Sequence, residues 1–205
     1  MGEIVLLRHG QTEWSLDGRH TGRTDLPLTR EGERQAREAA ALLGGRKISA
    51  AWSSPAERAR RTAELAGLPL QGTDPDLWEW DYGGYEGVTT HDIQRDRPGW
   101  NLWTDGVIPG DPDRFPGETV EQVGARCDRV IARVLPLVAP DSETALDGDV
   151  ALVAHGHVLR ILAARWLGQP PGDGALFQLD TASVSRLGFE HGRPVLTLWN
   201  EILRE

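Results

Sequence analysis

The sequence predicts an α/β sandwich built on a mainly parallel sheet. Two observations carry most of that reading: short aliphatic runs at residues 4–7 and 150–154 look like strands buried on both faces, and stretches with helical apolar spacing lie between them. A third adds to it, because each run delivers its chain into a histidine-bearing loop, Arg8-His9-Gly10 after the first and His155-Gly156-His157 after the second. In open α/β sheets ligands bind beyond the carboxyl ends of the strands, so His9 and His155 are expected to face one pocket although they lie far apart in sequence.

In chain order, the strand at 4–7 is followed by a Gly/Thr-rich loop. Thr29 then caps a helix with Glu31 in its first turn; Ala36, Ala39, Ala40 and Leu43 form its apolar stripe, and Gly44-Gly45 stop it. Residues 50–53 read as a second short strand, and Pro55 opens a helix that runs to about Ala66. From 74 to 117 the composition turns to Trp, Gly, Pro and Asp without a sustained period, which predicts an insertion that is part loop and part short helix. Residues 119–138 resume a helical pattern through Val123, Cys127, Val130, Val134 and Leu137, and 141–148 form a polar loop. After the strand at 150–154, residues 158–167 read as a helix. Residues 183–189 and 195–199 flank Glu190-His191-Gly192-Arg193 as a hairpin that would add an antiparallel edge. Neither an internal repeat nor a low-complexity tail is present, and the expectation is one domain over residues 1–205.

The 205 residues carry a formal charge of −9, which disfavours sequence-independent nucleic-acid binding because that affinity needs a basic face. All but one of the 22 basic residues are arginine, Lys47 being the exception. Cys127 is the lone cysteine, so an intramolecular disulfide and a cysteine-built zinc cluster are both excluded. The run at 4–7 is too short for a signal peptide or a membrane span. The expected protein is cytoplasmic, without a membrane or nucleic-acid partner; a homodimer is left open.

His9 lies between Arg8 and Gly10, and Arg58 opens the second crossover helix. Two cations near one imidazole would keep it neutral and nucleophilic while holding a phosphate dianion against it. Taken alone, His9 is equally well read as a hydrogen-bonding loop residue. Glu79 is bracketed by Trp78 and Trp80. Rings that exclude water from its carboxyl would keep it protonated to meet a departing alkoxide, although two such tryptophans also suit a core. No HExxH pair occurs, His155-x-His157 has no carboxylate close in sequence, and neither Gly83-Gly84 nor Gly44-Gly45 belongs to a Walker loop. Metal-dependent hydrolysis and nucleotide-driven transfer are thereby disfavoured and neither metal nor cofactor is expected, although metal ligands distant in sequence stay open.

The motifs LLRHGQTEW, GRHTGRTDLPLTREGERQA, SSPAERARRTAEL, LWEWDYGGYEG, PGET and VAHGHVLR, in that order, resemble the histidine phosphatase superfamily, also called phosphoglycerate mutase-like. The phrasing TG-x-TDLPLT and EW-x-YG-x-YEG is most similar to its branch of bacterial acid phosphatases and fungal sedoheptulose-bisphosphatases. The resemblance implies a three-layer α/β/α sandwich with a cap at 74–117. It also implies a phosphohistidine formed at His9, phosphoryl oxygens held by Arg8, Arg58 and His155, proton donation by Glu79, and a small phosphate ester as substrate. Ser15 and Thr21 depart from a frequent asparagine and glutamine but still offer hydroxyls, and with Gly22, Tyr82 and Gly156 they are expected to shape the mouth of the site. Thr21 and Tyr82 read equally well as turn and packing residues.

Among the other histidines, His20 carries no firm reading, His157 reads as a helix-cap residue, and His91 and His191 read as exposed. For a second phosphate, Arg19, Arg23 and Arg114 are the rim arginines nearest by loop position. A phosphoglycerate mutase would use the same chemistry; the modest length favours a phosphatase, since cofactor-dependent mutases of the family carry longer insertions and tails. A non-catalytic phospho-ligand module would be free to lose His9 or Glu79, and both are present. The Trp-rich insertion argues against a protein substrate.

Overall fold

The computed structural model describes residues 2–139 and 141–203. Its elements run β1 (Ile4–Arg8), α1 (Glu13–Asp17), α2 (Arg30–Leu42), β2 (Ile48–Ser53), α3 (Glu57–Leu65), β3 (Leu70–Thr73), α4 (Thr90–Asp96), α5 (Leu102–Asp105), α6 (Val120–Val138), β4 (Asp149–Ala154), α7 (Gly156–Trp166), β5 (Val184–Glu190) and β6 (Arg193–Glu201). One six-stranded sheet has the order β3-β2-β4-β1-β5-β6. The pairs β1/β4, β2/β4 and β2/β3 are parallel, and the hairpin β5/β6 joins antiparallel to β1.

Alternation within the aliphatic runs builds two cores. Ile4, Leu6, Val150 and Leu152 face α6 and α7, whereas Val5, Leu7, Ala151 and Val153 face α2 and α3. The three-layer α/β/α arrangement is the result. Each of these side chains is at most 1% exposed, and burying an aliphatic residue to that extent contributes roughly 1.5–3 kcal/mol. Helix α6 buries Val123, Cys127, Val130, Val134 and Val138 at intervals of three and four, with Val138 rather than Leu137 as the last inward position.

Some boundaries differ from the sequence reading. Helix α7 begins at Gly156, two residues earlier than expected, because His155 already adopts the extended N-cap conformation. This places the free N–H groups of the first turn beside the pocket. Strand β2 begins two residues earlier than expected, at Ile48. Neither β3 nor α1 was expected. β3 is a polar four-residue edge strand (LQGT), and α1 is a five-residue helix closed by a Thr12/Ser15 capping box and by Gly18 at φ 72°. Neither is long enough to show a period.

Residues 74–117 are part loop and part short helix, as expected. Their apolar residues Leu77, Trp80, Tyr82, Tyr85, Ile93, Trp100 and Leu102 join the core beneath α6 and α7. Among the described residues, no helix is long and apolar enough to cross a membrane.

Candidate active site

The register of β1 on β4 sets Leu7 opposite Val153 and Arg8 opposite Ala154. One more backbone bond, His9 N–H to Ala154 O at 2.9 Å, extends the ladder before the chains part. The two histidines that follow are therefore neighbours, with the His9 and His155 rings edge-on at a centroid distance of 5.1 Å.

His9 is 5% exposed, and its Nδ1 lies 2.7 Å from the carbonyl oxygen of Gly10. A carbonyl only accepts, so Nδ1 carries the hydrogen and Nε2 keeps a free lone pair. Burial first, then the charges of Arg58 and Arg8, hold this imidazole neutral well below pH 6.5.

Behind it stands Arg58, fully buried, with Nε donating to His155 Nδ1 at 3.1 Å and its terminal nitrogens donating to the carbonyls of Thr21, Gly22 and Thr24. Because Nδ1 of His155 accepts, its Nε2 carries the hydrogen and donates to Ser54 Oγ at 2.7 Å. Burial and Arg58 keep His155 neutral as well. The sequence expectation put both residues around the phosphoryl oxygens. In the structure neither lines the cleft, since the carbonyls of 21–24 draw the guanidinium inward and Ser54 with Arg58 occupies both nitrogens of the ring.

Arg8 does line the cleft. Its Nη1 donates to Leu179 O at 2.5 Å, while Nε is the one buried side-chain polar atom without a partner among the described residues. Such an orphan donor costs about 1–3 kcal/mol, and it suits a place where an anion binds.

Glu79 lines the same cleft. Its Oε1 accepts from the backbone N–H of Trp80 and of Val158, each at 2.9 Å, and Oε2 accepts from His157 N–H at 3.0 Å. The expected tryptophan enclosure is not what surrounds it. Trp78 stacks parallel to His155 at 6.4 Å, and Trp80 turns into the core, donating to Glu118 O. The carboxyl instead sits on the N-terminus of α7, whose first-turn N–H groups have no partner within the helix and bind its two oxygens. Its backbone is held by Arg126, which donates to the carbonyls of Asp76, Trp78 and Glu79 and pairs with Glu118. Nothing in the sequence separates this buried arginine of α6 from a solvated one.

The cleft measures about 410 Å³, and its lining includes Ser15, Thr21, Tyr82 and Gly156. The Ser15 hydroxyl is engaged in the α1 capping box with Thr12, and Thr21 Oγ1 donates to Arg19 O. A side chain on Gly156 would stand 3.4 Å from the Arg8 guanidinium. Gly22 does not line the cleft: its N–H donates to Glu86, and a Cβ there would fall 2.6 Å from Trp80 O, so it is a packing glycine.

Three lining residues, His20, His157 and Arg160, had no catalytic or binding role in the sequence reading. Burial drops His20 to about 4. His157 is no helix cap, because its ring Nδ1 meets Tyr82 Oη at 2.6 Å. His91 and His191 are exposed as expected. Of the rim arginines, Arg19 lines the cleft, Arg23 leans over Trp78 at 5.4 Å, and Arg114 lies over Phe115 away from it. Among the described residues, no three His, Cys, Asp or Glu side chains gather closely enough to hold a metal ion.

Residues 4–202 match the model of the histidine phosphatase superfamily (branch 1). An acid phosphatase of Mycobacterium tuberculosis is 41% identical over 92% of this chain and 87% of its own. A sedoheptulose 1,7-bisphosphatase of Saccharomyces cerevisiae is 38% identical over 80% of this chain and 67% of its own. The solved structure of an open reading frame product from Mycobacterium tuberculosis superposes with a TM-score of 0.86 at 39% identity, covering 98% of both chains. With a family match that spans nearly the whole sequence and a relative this similar, the chain belongs to the histidine phosphatase superfamily (branch 1).

Proposed function

We propose that this phosphatase moves the phosphoryl group of a compact phosphorylated metabolite onto Nε2 of His9 and then onto water. The observation that carries this reading is the pairing, in one cleft, of a neutral imidazole whose Nε2 lone pair is free with the unpartnered Nε of Arg8. The Nε2 lone pair forms the N–P bond as the P–O ester bond breaks, and the leaving oxygen takes its proton through Glu79, whose backbone N–H donors stabilise the carboxylate that results. The Glu79 carboxylate then takes a proton from water, whose oxygen displaces His9 from phosphorus. Arg8 holds the equatorial oxygens, and Arg58 contributes fixed positive charge from behind the nucleophile.

A cleft of about 410 Å³ walled by Tyr82, Trp100 and Trp103 suits a small sugar or glycerate phosphate, with residues 74–117 acting as its cap. Arg160 supplies the basic group for a second anion: it lines the cleft with its guanidinium 4.6 Å above the Trp103 ring. The net charge of −9 and the lone, buried Cys127 favour a cytoplasmic enzyme that meets small esters rather than nucleic acid. The names of the similar acid phosphatase and sedoheptulose 1,7-bisphosphatase support the same class.

A panel of sugar mono- and bisphosphates, 3-phosphoglycerate and an aryl phosphate tests it. The expected result is a kcat/KM for a bisphosphate about tenfold or more above its monophosphate, the size of a hydrogen bond to a charged group. Equal efficiencies would remove the second anion site.

A further inference from the structure

The Tyr82–His157 pair has no part in the two transfer steps, yet it is built into the wall beside Glu79. Tyr82 is 2% exposed, and among the described residues its hydroxyl bonds to one group, Nδ1 of His157 at 2.6 Å. If His157 carried its hydrogen on Nδ1, the buried phenol O–H would be left without an acceptor. The phenol therefore donates, Nδ1 accepts, and the hydrogen of the ring sits on Nε2. That Nε2 has no partner among the described residues and is not among their buried unsatisfied atoms. The side chain is 23% exposed, and the cleft is where it is exposed.

Position completes the argument. The His157 backbone N–H holds Oε2 of Glu79, and the ring Nδ1 stands 3.9 Å from the same oxygen. Glu79 is where the leaving oxygen departs; Nε2 lies across the same ring from Nδ1 in the cleft wall, so its hydrogen is within reach of a group on the carbon next to the ester. We infer that His157, locked by Tyr82 with its hydrogen on Nε2, is a specificity-determining donor that binds the hydroxyl or carbonyl oxygen on the substrate carbon adjacent to the phosphate ester. The inference rests on the phosphatase reading and deepens it: the preferred substrates are phosphates of polyols and sugars rather than of plain alkyl or aryl alcohols.

The surroundings keep the donor neutral and constant. Burial, then Arg160, His20 and Arg8, hold the His157 ring unprotonated well below pH 6.5, and burial holds the Tyr82 phenol protonated well above 10. Trp103 and Trp80 pack on the ring at 5.3 and 6.2 Å and fix its plane.

Two measurements test this. The first compares glycerol 1-phosphate with n-propyl phosphate, which has the same carbon chain and no hydroxyls. His157→Ala is expected to lower kcat/KM about fivefold to tenfold more for glycerol 1-phosphate than for n-propyl phosphate. His157→Gln, which keeps an N–H at similar reach, restores part of the difference. Equal losses on the two esters would overturn the inference. The second uses nitrogen-15 NMR on the non-turning His9→Ala variant. The His157 signals should report hydrogen on Nε2 and shift with glycerol 1-phosphate but not with n-propyl phosphate. Hydrogen on Nδ1, or the same response to both, would overturn it. Because this readout needs no turnover, an enzyme that hydrolyses no phosphate ester defeats the phosphatase reading and leaves the His157 result to stand or fall separately.

Discussion

Nε of Arg58 donates to Nδ1 of His155 across 3.1 Å, and the His155 ring stands edge-on to His9 at 5.1 Å. One buried guanidinium thus fixes the tautomer of the second histidine and places positive charge behind the first.

Arg58→Lys should lower kcat/KM on phenyl phosphate by about 100-fold, because an ammonium cannot serve His155 and the carbonyls of Thr21, Gly22 and Thr24 together. Steady-state kinetics checked against a thermal melt decide this. A folded variant with near-normal rates would show that the guanidinium fork is dispensable.

The rate should not fall with a histidine midpoint near pH 6.5, since burial, Arg58 and Arg8 keep His9 neutral well below that value. Stability behaves differently. His9, His20, His155 and His157 all resist protonation when folded, whereas in the unfolded chain they take up protons near 6.5. The unfolded state then binds more protons, so stability is lost as pH falls from 6.5, by about 1.4 kcal/mol per pH unit for each imidazole. Chemical denaturation at pH 7 and pH 5.5 measures the slope; a flat profile would contradict buried neutral histidines.

Arg126→Met should cost about 3 kcal/mol or more, because it strands half-buried Glu118 and frees the carbonyls of Asp76, Trp78 and Glu79. In a chain of this length that lowers Tm by roughly 6 °C or more. The surviving enzyme should lose more rate on alkyl phosphates, whose leaving oxygen needs the Glu79 proton, than on p-nitrophenyl phosphate. Equal losses would mean that Arg126 does not position Glu79.

Activity is expected to withstand exhaustive treatment with EDTA, since Arg8 and Arg58 supply the positive charge that the phosphoryl group needs. Loss on chelation with recovery on adding a divalent ion would contradict that.

Much of this architecture is legible in the chain. The runs at 4–7 and 150–154 are buried on both faces, so their composition alone marks them as central parallel strands, and the position of His9 and His155 one residue past each strand end brings the two together. What is hidden depends on partners remote in sequence. The polar strand β3 exists because β2 offers it an edge, and Arg126 looks like any helical arginine until its carbonyl partners fold over it. The bond between Tyr82 and His157 spans two elements whose approach no local pattern encodes. For Glu79 the flanking tryptophans suggest an apolar enclosure, but α7 begins early enough to supply N–H donors instead.

The central claim is that His9 carries the phosphoryl group, and rapid quenching of a reaction with phosphorus-32-labelled substrate tests it most directly. The account predicts a burst of protein-bound label that is labile in acid, stable in base, mapped to His9 and absent from His9→Ala. Acid-stable label on a hydroxyl side chain, or undiminished label in His9→Ala, would contradict it.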